Sequence, residues 1–128
     1  MILLLDTATP VCRLTLIVEG QECASEWEAN RELARGLLGF IEKELERQGK
    51  TFSDITAIGA FKGPGSFTGL RIGLTVLNTL ADSLSIPIVG ETDEDWTEKA
   101  VLRLRSGEDD RIVLPFYISD AHITSPRK

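Results

Sequence analysis

The run Gly63-Pro64-Gly65-Ser66-Phe67-Thr68-Gly69-Leu70-Arg71-Ile72-Gly73 places four glycines and a proline between a strand-like apolar segment and a helix-like one. Glycine reaches positive φ without a steric penalty and lets backbone approach closely, and proline stiffens a turn. The run therefore specifies an unusual backbone corner more than a set of reactive side chains. It restricts the chain to folds in which a strand turns sharply into a packed helix. It looks like a phosphate cradle, but a Walker loop needs Lys and then Ser or Thr after its last glycine. Here Leu70 and Arg71 follow Gly69. What remains is a helix start: Ser66 or Thr68 can cap it, its free amides can attract an anion, and Arg71 sits one turn in. Gly63, Pro64, Gly65, Ser66, Thr68 and Gly69 are accordingly read as a structural loop.

On either side of this corner the residue pattern alternates between strand and helix periods. Ile2 to Thr7 is a short apolar run suited to a central strand covered on both faces. Val11 to Val18 alternates, with Leu14, Leu16 and Val18 opposite Arg13, Thr15 and Ile17. Glu19-Gly20 signals a tight hairpin into a polar edge strand over Gln21 to Ala29. Asn30 is placed to cap a helix running to about Gln48, which Gly49 ends. Ile55 to Lys62 is the next strand, Thr68 to Leu84 the second helix and Ile86 to Gly90 the fifth strand. Asp93 to Ser106 is a third helix, with Trp96, Ala100, Val101 and Leu104 on one stripe. Ile112 to Ile118 is extended.

A chain of 128 residues can bury one core. This predicts a single domain over residues 1–118 and a flexible C-terminal tail over 119–128. The order β-β-β-α-β-α-β-α, a meander feeding a parallel crossover, is the pattern of a ribonuclease H-like α/β lobe, the unit of the actin and sugar-kinase-like ATPases. The expected architecture is a mixed five-stranded sheet with helices on both faces.

Composition removes several function classes. A net charge of −6 argues against standing affinity for nucleic acid, which needs lysines and arginines gathered on one face. Lys62 with Arg71, and Arg127 with Lys128, read as scattered surface charge. No apolar run approaches the roughly 20 residues of a membrane span, and Met1 to Asp6 lacks a basic region and a cleavage site, so the chain is expected to be cytoplasmic. Cys12 and Cys23 are then reduced packing thiols, and two cysteines without clustered histidines make no zinc site. His122, the lone histidine, falls in the tail and is assigned no role.

Two chemistries commonly occupy this fold. A two-metal nuclease needs several carboxylates converging on the sheet. Asp6 is suitably placed on the first strand, but the fourth strand ends Ala60-Phe61-Lys62 and supplies no acid. A small metal-dependent nuclease using Asp6 is the alternative reading. An ATPase needs a second lobe and a phosphate-binding hairpin after the first strand, and Asp6-Thr7-Ala8-Thr9-Pro10 is short and partly apolar. Asp6 and Thr7 are read as a degenerate phosphate loop, with the Asp6 carboxylate bonded to turn amides. No catalytic residue, metal or cofactor is assigned.

Asp6-Thr-Ala-Thr at the first strand, together with Gly-Pro-Gly-Ser-Phe-Thr-Gly-Leu-Arg-Ile-Gly, resembles the TsaB (YeaZ) family. The resemblance runs from the start to Glu91. Ile86-Pro-Ile-Val-Gly is similar to the family's strand after the second helix, and Pro115-Phe-Tyr-Ile and Ile123-Thr-Ser-Pro-Arg-Lys to its C-terminal tail. Between Glu91 and Arg111 there is room for one helix where the family normally carries a second lobe. The resemblance implies a non-catalytic subunit in the synthesis of threonylcarbamoyladenosine in tRNA. Its implied partners are the transferase TsaD, the ATPase TsaE, and a second copy when TsaD is absent; tRNA would be met only through the complex.

In the family the first two helices form the docking bundle. Carried onto this chain, that surface would comprise Leu33, Gly36, Leu37, Phe40, Arg71, Leu74, Leu77 and Asn78. The residues support such a face independently. Ala34, Leu38, Ile41 and Leu45 form one apolar stripe and Leu33, Leu37 and Phe40 an adjacent one, so that one can cover the sheet while the other stays exposed. Gly36 and Gly39 each cost roughly 1 kcal/mol in a helix interior, tolerable where helices approach closely. The second helix, through Ile72, Leu74, Val76, Leu77, Leu80 and Leu84, is also apolar on more than one side. The family often has His at Leu33 and Lys-Gly at Asn78-Thr79; Leu33 would make the patch more apolar and Thr79 would add volume.

Overall fold

The chain opens as an antiparallel meander of β1 (Ile2–Asp6), β2 (Val11–Val18) and β3 (Gln21–Glu28) in the computed structural model, which describes residues 1–116. Glu19 and Gly20 both take left-handed φ, +50° and +81°, the backbone that a two-residue hairpin requires. Then follow α1 (Leu33–Arg47), β4 (Ala57–Phe61), α2 (Phe67–Leu84), β5 (Ile88–Glu91) and α3 (Trp96–Arg105). β4 adds parallel to β1 and β5 parallel to β4, giving one mixed sheet in the order β3-β2-β1-β4-β5. This is the ribonuclease H-like lobe. The proposed tail 119–128, with His122, Arg127 and Lys128, lies outside the described residues.

Strand alternation divides the core. Leu3 and Leu5 of β1 and Cys12, Leu14 and Leu16 of β2 turn to one face, where Leu37, Ile41 and Leu45 of α1 and Leu74, Leu77 and Ala81 of α2 cover them. Leu4 and Ile17 turn to the other face and join Val89 with Ala100 and Leu104 of α3. Gly59 lets α3 lie close, because a Cβ there would stand 2.5 Å from Leu4 Cδ2 and 3.0 Å from the Ala100 Cβ. Trp96, at the start of α3, packs on Phe61 with ring centroids 5.8 Å apart. Cys12 and Cys23 are unbridged and lie opposite Trp27 and Leu16, not each other.

Three boundaries differ from expectation. Asn30 does not cap α1: it sits at φ +48° in a 3-10 turn, Asn30–Glu32, that leads into the helix. β4 starts at Ala57 rather than the expected Ile55, after a second 3-10 turn, Phe52–Asp54, closed by a reciprocal Thr51–Asp54 capping box. α3 begins at Trp96 rather than Asp93, whose φ of +76° is not helical.

Residues 112–116 form no strand but lie beside α2 as a strap. Val113 is buried in the α1–α2 core, and its backbone N–H and C=O are both taken by the Asn78 side chain, each at 2.9 Å. The Phe116 N–H then donates to the Lys62 carbonyl at 2.7 Å. Asn78→Leu would leave two strap groups unpaired, each costing about 1–3 kcal/mol where buried. Hydrogen exchange should show Val113 losing protection while the central strand β1 keeps its own; unchanged protection at Val113 would show that Asn78 does not anchor the strap.

Candidate interface at the helix pair

The glycine corner packs the turn after β1 against the start of α2. In the run only Gly63 takes positive φ, +116°, with the Phe116 carbonyl oxygen 2.5 Å from where a Cβ would sit. Gly65, Gly69 and Gly73 instead lie four residues apart and allow close approach. A Cβ on Gly65 would strike the Ala8 Cβ, one on Gly69 the Thr7 carbonyl oxygen, and one on Gly73 the Thr7 hydroxyl. Thr7, 3% exposed, donates that hydroxyl to the Gly69 carbonyl at 2.7 Å, and the Ser66 N–H donates to the Ala8 carbonyl at 2.8 Å. Of the two cap candidates Ser66 is the one used, its Oγ accepting the Gly69 N–H at 3.2 Å. The Thr7-Ala8 side of the turn that would cradle a phosphate is thus packed directly on the first turns of α2.

Asp6 ends β1 with its Oδ1 accepting the Ala8 N–H at 2.8 Å, the turn bond expected of it. Burial raises its carboxyl above the ordinary range, against the lowering effect of that amide and of the Arg13 guanidinium. Burial, and secondarily the Asp6 charge, pushes the Cys12 thiol up to about 12, leaving it largely unionised at neutral pH. Among the described residues no three His, Cys, Asp or Glu side chains converge to hold a metal.

An acid with a higher pKa folded than unfolded holds its proton more tightly in the native state. Its ionisation therefore opposes folding as pH rises from the ordinary value of 3.8 through the raised one. Asp6→Asn keeps an oxygen for the Ala8 N–H and cannot ionise. It should be at least as stable as the parent at neutral pH, and its denaturation midpoints should lack the decline Asp6 contributes across that window. A marked loss of neutral-pH stability would show that the charge itself is needed.

The helix faces differ from the expected stripes. The seam on the sheet is Leu33, Leu37, Ile41 and Leu45, a mixture of the two, while Ala34 and Leu38 face outward, Leu38 at 51% exposure. On α2 the buried seam is Leu70, Leu74, Leu77 and Ala81. Leu33, Leu37, Leu74 and Leu77 are therefore core residues of this lobe, not surface ones, because the sheet needs their volume. Gly36 is explained from within: a Cβ there would fall 2.6 Å from the Trp27 indole, which also packs on Phe40 at 5.3 Å between centroids. Phe40 is half-buried, and Asn78 is committed to the strap. Of the eight carried-over residues, Arg71 alone is fully at the surface, its guanidinium 5.2 Å above the ring of Phe67. Thr79 is exposed and bonds back to the Thr75 carbonyl at 2.8 Å.

Sequence reasoning placed Arg71 on the outer face but missed Phe67 and Thr75 beside it. Phe67, 54% exposed, Arg71 and Thr75 form a ridge along α2 with a groove on each side. Toward α1 the ridge meets a hollow of about 420 Å³ lined by Ala34, Thr68, Ile72 and Val76. Toward the strap lies one of about 400 Å³, walled by Leu74, Asn78, Val113, Leu114 and Pro115. A third, of about 710 Å³, opens between Thr9-Pro10, residues 28–33 and the start of α2. The usable signal was Phe67, a large apolar residue at the first helical position, where burial is hardest to arrange. Such a surface can grip another apolar helix, with Arg71 available to an acidic group.

A family model described as "TsaD: tRNA N6-adenosine threonylcarbamoyltransferase" matches residues 27–101, more than half of the chain. The chain is 36% identical over 89 residues to the tRNA threonylcarbamoyladenosine biosynthesis protein TsaB of Escherichia coli, covering 70% of this chain and 38% of that one. It is 28% identical over 107 residues to the protein of the same name from Haemophilus influenzae, covering 84% and 45%. Among solved structures, YeaZ from Pseudomonas aeruginosa superposes with a TM-score of 0.69 at 31% identity, covering 82% of this chain and 49% of that one. The chain spans less than half the length of these curated relatives. With the sheet order, the glycine corner and these matches in agreement, the chain belongs to the TsaB (YeaZ) family, within the wider group that the TsaD model describes.

Proposed function

We propose that this chain is a non-catalytic subunit in the synthesis of threonylcarbamoyladenosine in tRNA, docking through α1 and α2 on a TsaD-like transferase. The observation that carries the reading is the outward apolar face of the helix pair. Leu38 on α1 and Phe67 on α2 are each about half exposed, Phe67 lines the groove beside the strap, and Ala34, Ile72 and Val76 line the hollow between the two helices, the kind of patch that marks an interface. Two further features support it. Thr7 and Ala8 of the turn after β1 are engaged by the protein's own helix, and the overall charge of −6 suits contact with tRNA only through a partner. A TsaE-like ATPase then belongs to the assembled complex, and a second copy is the competing occupant of the same face.

Mixing the protein with the TsaD of the same genome and measuring co-elution with molar mass tests this directly. A stable complex is expected, and the pair Leu38→Glu with Phe67→Glu should abolish it while leaving the circular dichroism spectrum intact. Failure of the parent to co-elute, or a complex indifferent to the double variant, overturns docking by this face.

A further inference from the structure

β5 is an outer strand of the sheet, and an outer strand ordinarily leaves a row of backbone groups open to pairing with another chain. Its ladder to β4 uses the odd positions: Ile58 N–H donates to the Pro87 carbonyl at 3.0 Å and Lys62 N–H to the Glu91 carbonyl at 3.0 Å. The N–H and C=O groups of Ile88 and Gly90 therefore point away from the sheet. All four are nonetheless paired. Ile88 N–H donates to Asp109 Oδ1 at 3.1 Å, and the Ile88 carbonyl accepts from the Asp110 N–H at 2.8 Å. Gly90 N–H donates to Asp110 Oδ2 at 2.9 Å, and the Gly90 carbonyl accepts from the Arg103 guanidinium at 3.1 Å.

The turn after α3 thus does with side chains what a sixth strand would do with backbone. Its parts brace one another. Arg103 bonds Glu91 at 3.0 Å and Glu108 at 2.6 Å and also reaches Asp110, while Asp109 Oδ1 additionally accepts the Arg111 N–H at 2.8 Å. Arg103 comes from α3 and the two aspartates from the turn, so the closure depends on α3 being seated.

We propose that Asp109, Asp110 and Arg103 form a cap that keeps the β5 edge closed to strand addition, and that opening it lets β5 pair with β5 of a second copy. The identity of that occupant follows from the two edges. Ile88-Val89-Gly90 carries no charge and presents the same alternation to a two-fold mate. The opposite edge, β3, carries exposed Glu22, Glu26 and Glu28 and would repel its own copy. The cap is separate from the helix face and does not depend on the reading of that face.

The test compares Asp109→Ala/Asp110→Ala with Asp109→Asn/Asp110→Asn, which keeps the oxygen acceptors while removing charge. Both are made in a Leu38→Glu background so that association through the helices does not contribute. Amide exchange followed by NMR should be at least tenfold faster at Ile88 and Gly90 in the alanine pair, with Leu4 unchanged. Sedimentation should show a concentration-dependent dimer in the alanine pair only. Faster exchange without a dimer overturns the guarding role, and unchanged exchange overturns the cap itself. Dimerisation of the asparagine pair would assign the guard to charge repulsion and overturn capping. Should the alanine pair fail to fold, the single Asp110→Ala, which frees the Gly90 N–H but leaves the Ile88 N–H bonded to Asp109, is read by the same criteria at Gly90 alone.

Discussion

Replacing Gly69 with alanine is expected to lower the free energy of unfolding by about 2–3 kcal/mol, the upper range for overpacking a well-filled site. The added methyl would run into the carbonyl oxygen of Thr7, a backbone atom at the end of a central strand that cannot swing aside. Gly73→Ala meets the Thr7 side chain instead. Rotating Thr7 relieves that clash but breaks its bond to the Gly69 carbonyl, worth about 1 kcal/mol, so this variant should be destabilised less. Gly39 is the control. It is also a helix-interior glycine, yet nothing lies within 4 Å of a Cβ built there, so Gly39→Ala should stabilise the free protein by about 1 kcal/mol. Urea denaturation of the three variants checks the order. A Gly69→Ala protein as stable as the parent would mean that the corner does not depend on close approach.

Adjacent residues on α1 should give opposite results. Leu37 is fully buried and Leu38 is 51% exposed. Leu37→Ala should cost about 3 kcal/mol, the usual loss for a buried leucine, with any effect on partner binding following from stability. Leu38→Glu should shift stability by less than about 0.5 kcal/mol, as surface substitutions do. Under the proposed function it should nonetheless abolish co-elution with the transferase. Paired denaturation curves and binding titrations separate the two effects. Loss of binding in Leu37→Ala beyond its loss of folded protein, with Leu38→Glu still binding, would move the interface to another face.

Much of the fold was legible because its signals are local. The Glu19-Gly20 hairpin, the alternation in β2 and the stripe Trp96, Ala100, Val101 and Leu104 on α3 each depend on neighbours within a few residues, and each is found in the structure. The interface was less legible. α1 carries apolar residues on more than half its circumference, so two rotations satisfied the pattern equally well. The sheet and the Trp27 indole selected the one that buries Leu33 and Leu37. Likewise Asn78 read as a surface position because its partner, Val113, lies 35 residues away.

By itself the sequence determined the order and type of the elements, the sharp corner after β4, and the family to which the chain is similar. These follow from backbone constraints and periodicities that act over short stretches. Only the tertiary structure decided that Gly65, Gly69 and Gly73 exist for the sake of Thr7 and Ala8, that Phe67 and Leu38 face outward, and that Asp109 and Asp110 close the edge of β5. Each of those depends on which distant groups compete for the same space or the same hydrogen bond, and that competition is settled only when the sheet and helices are packed together.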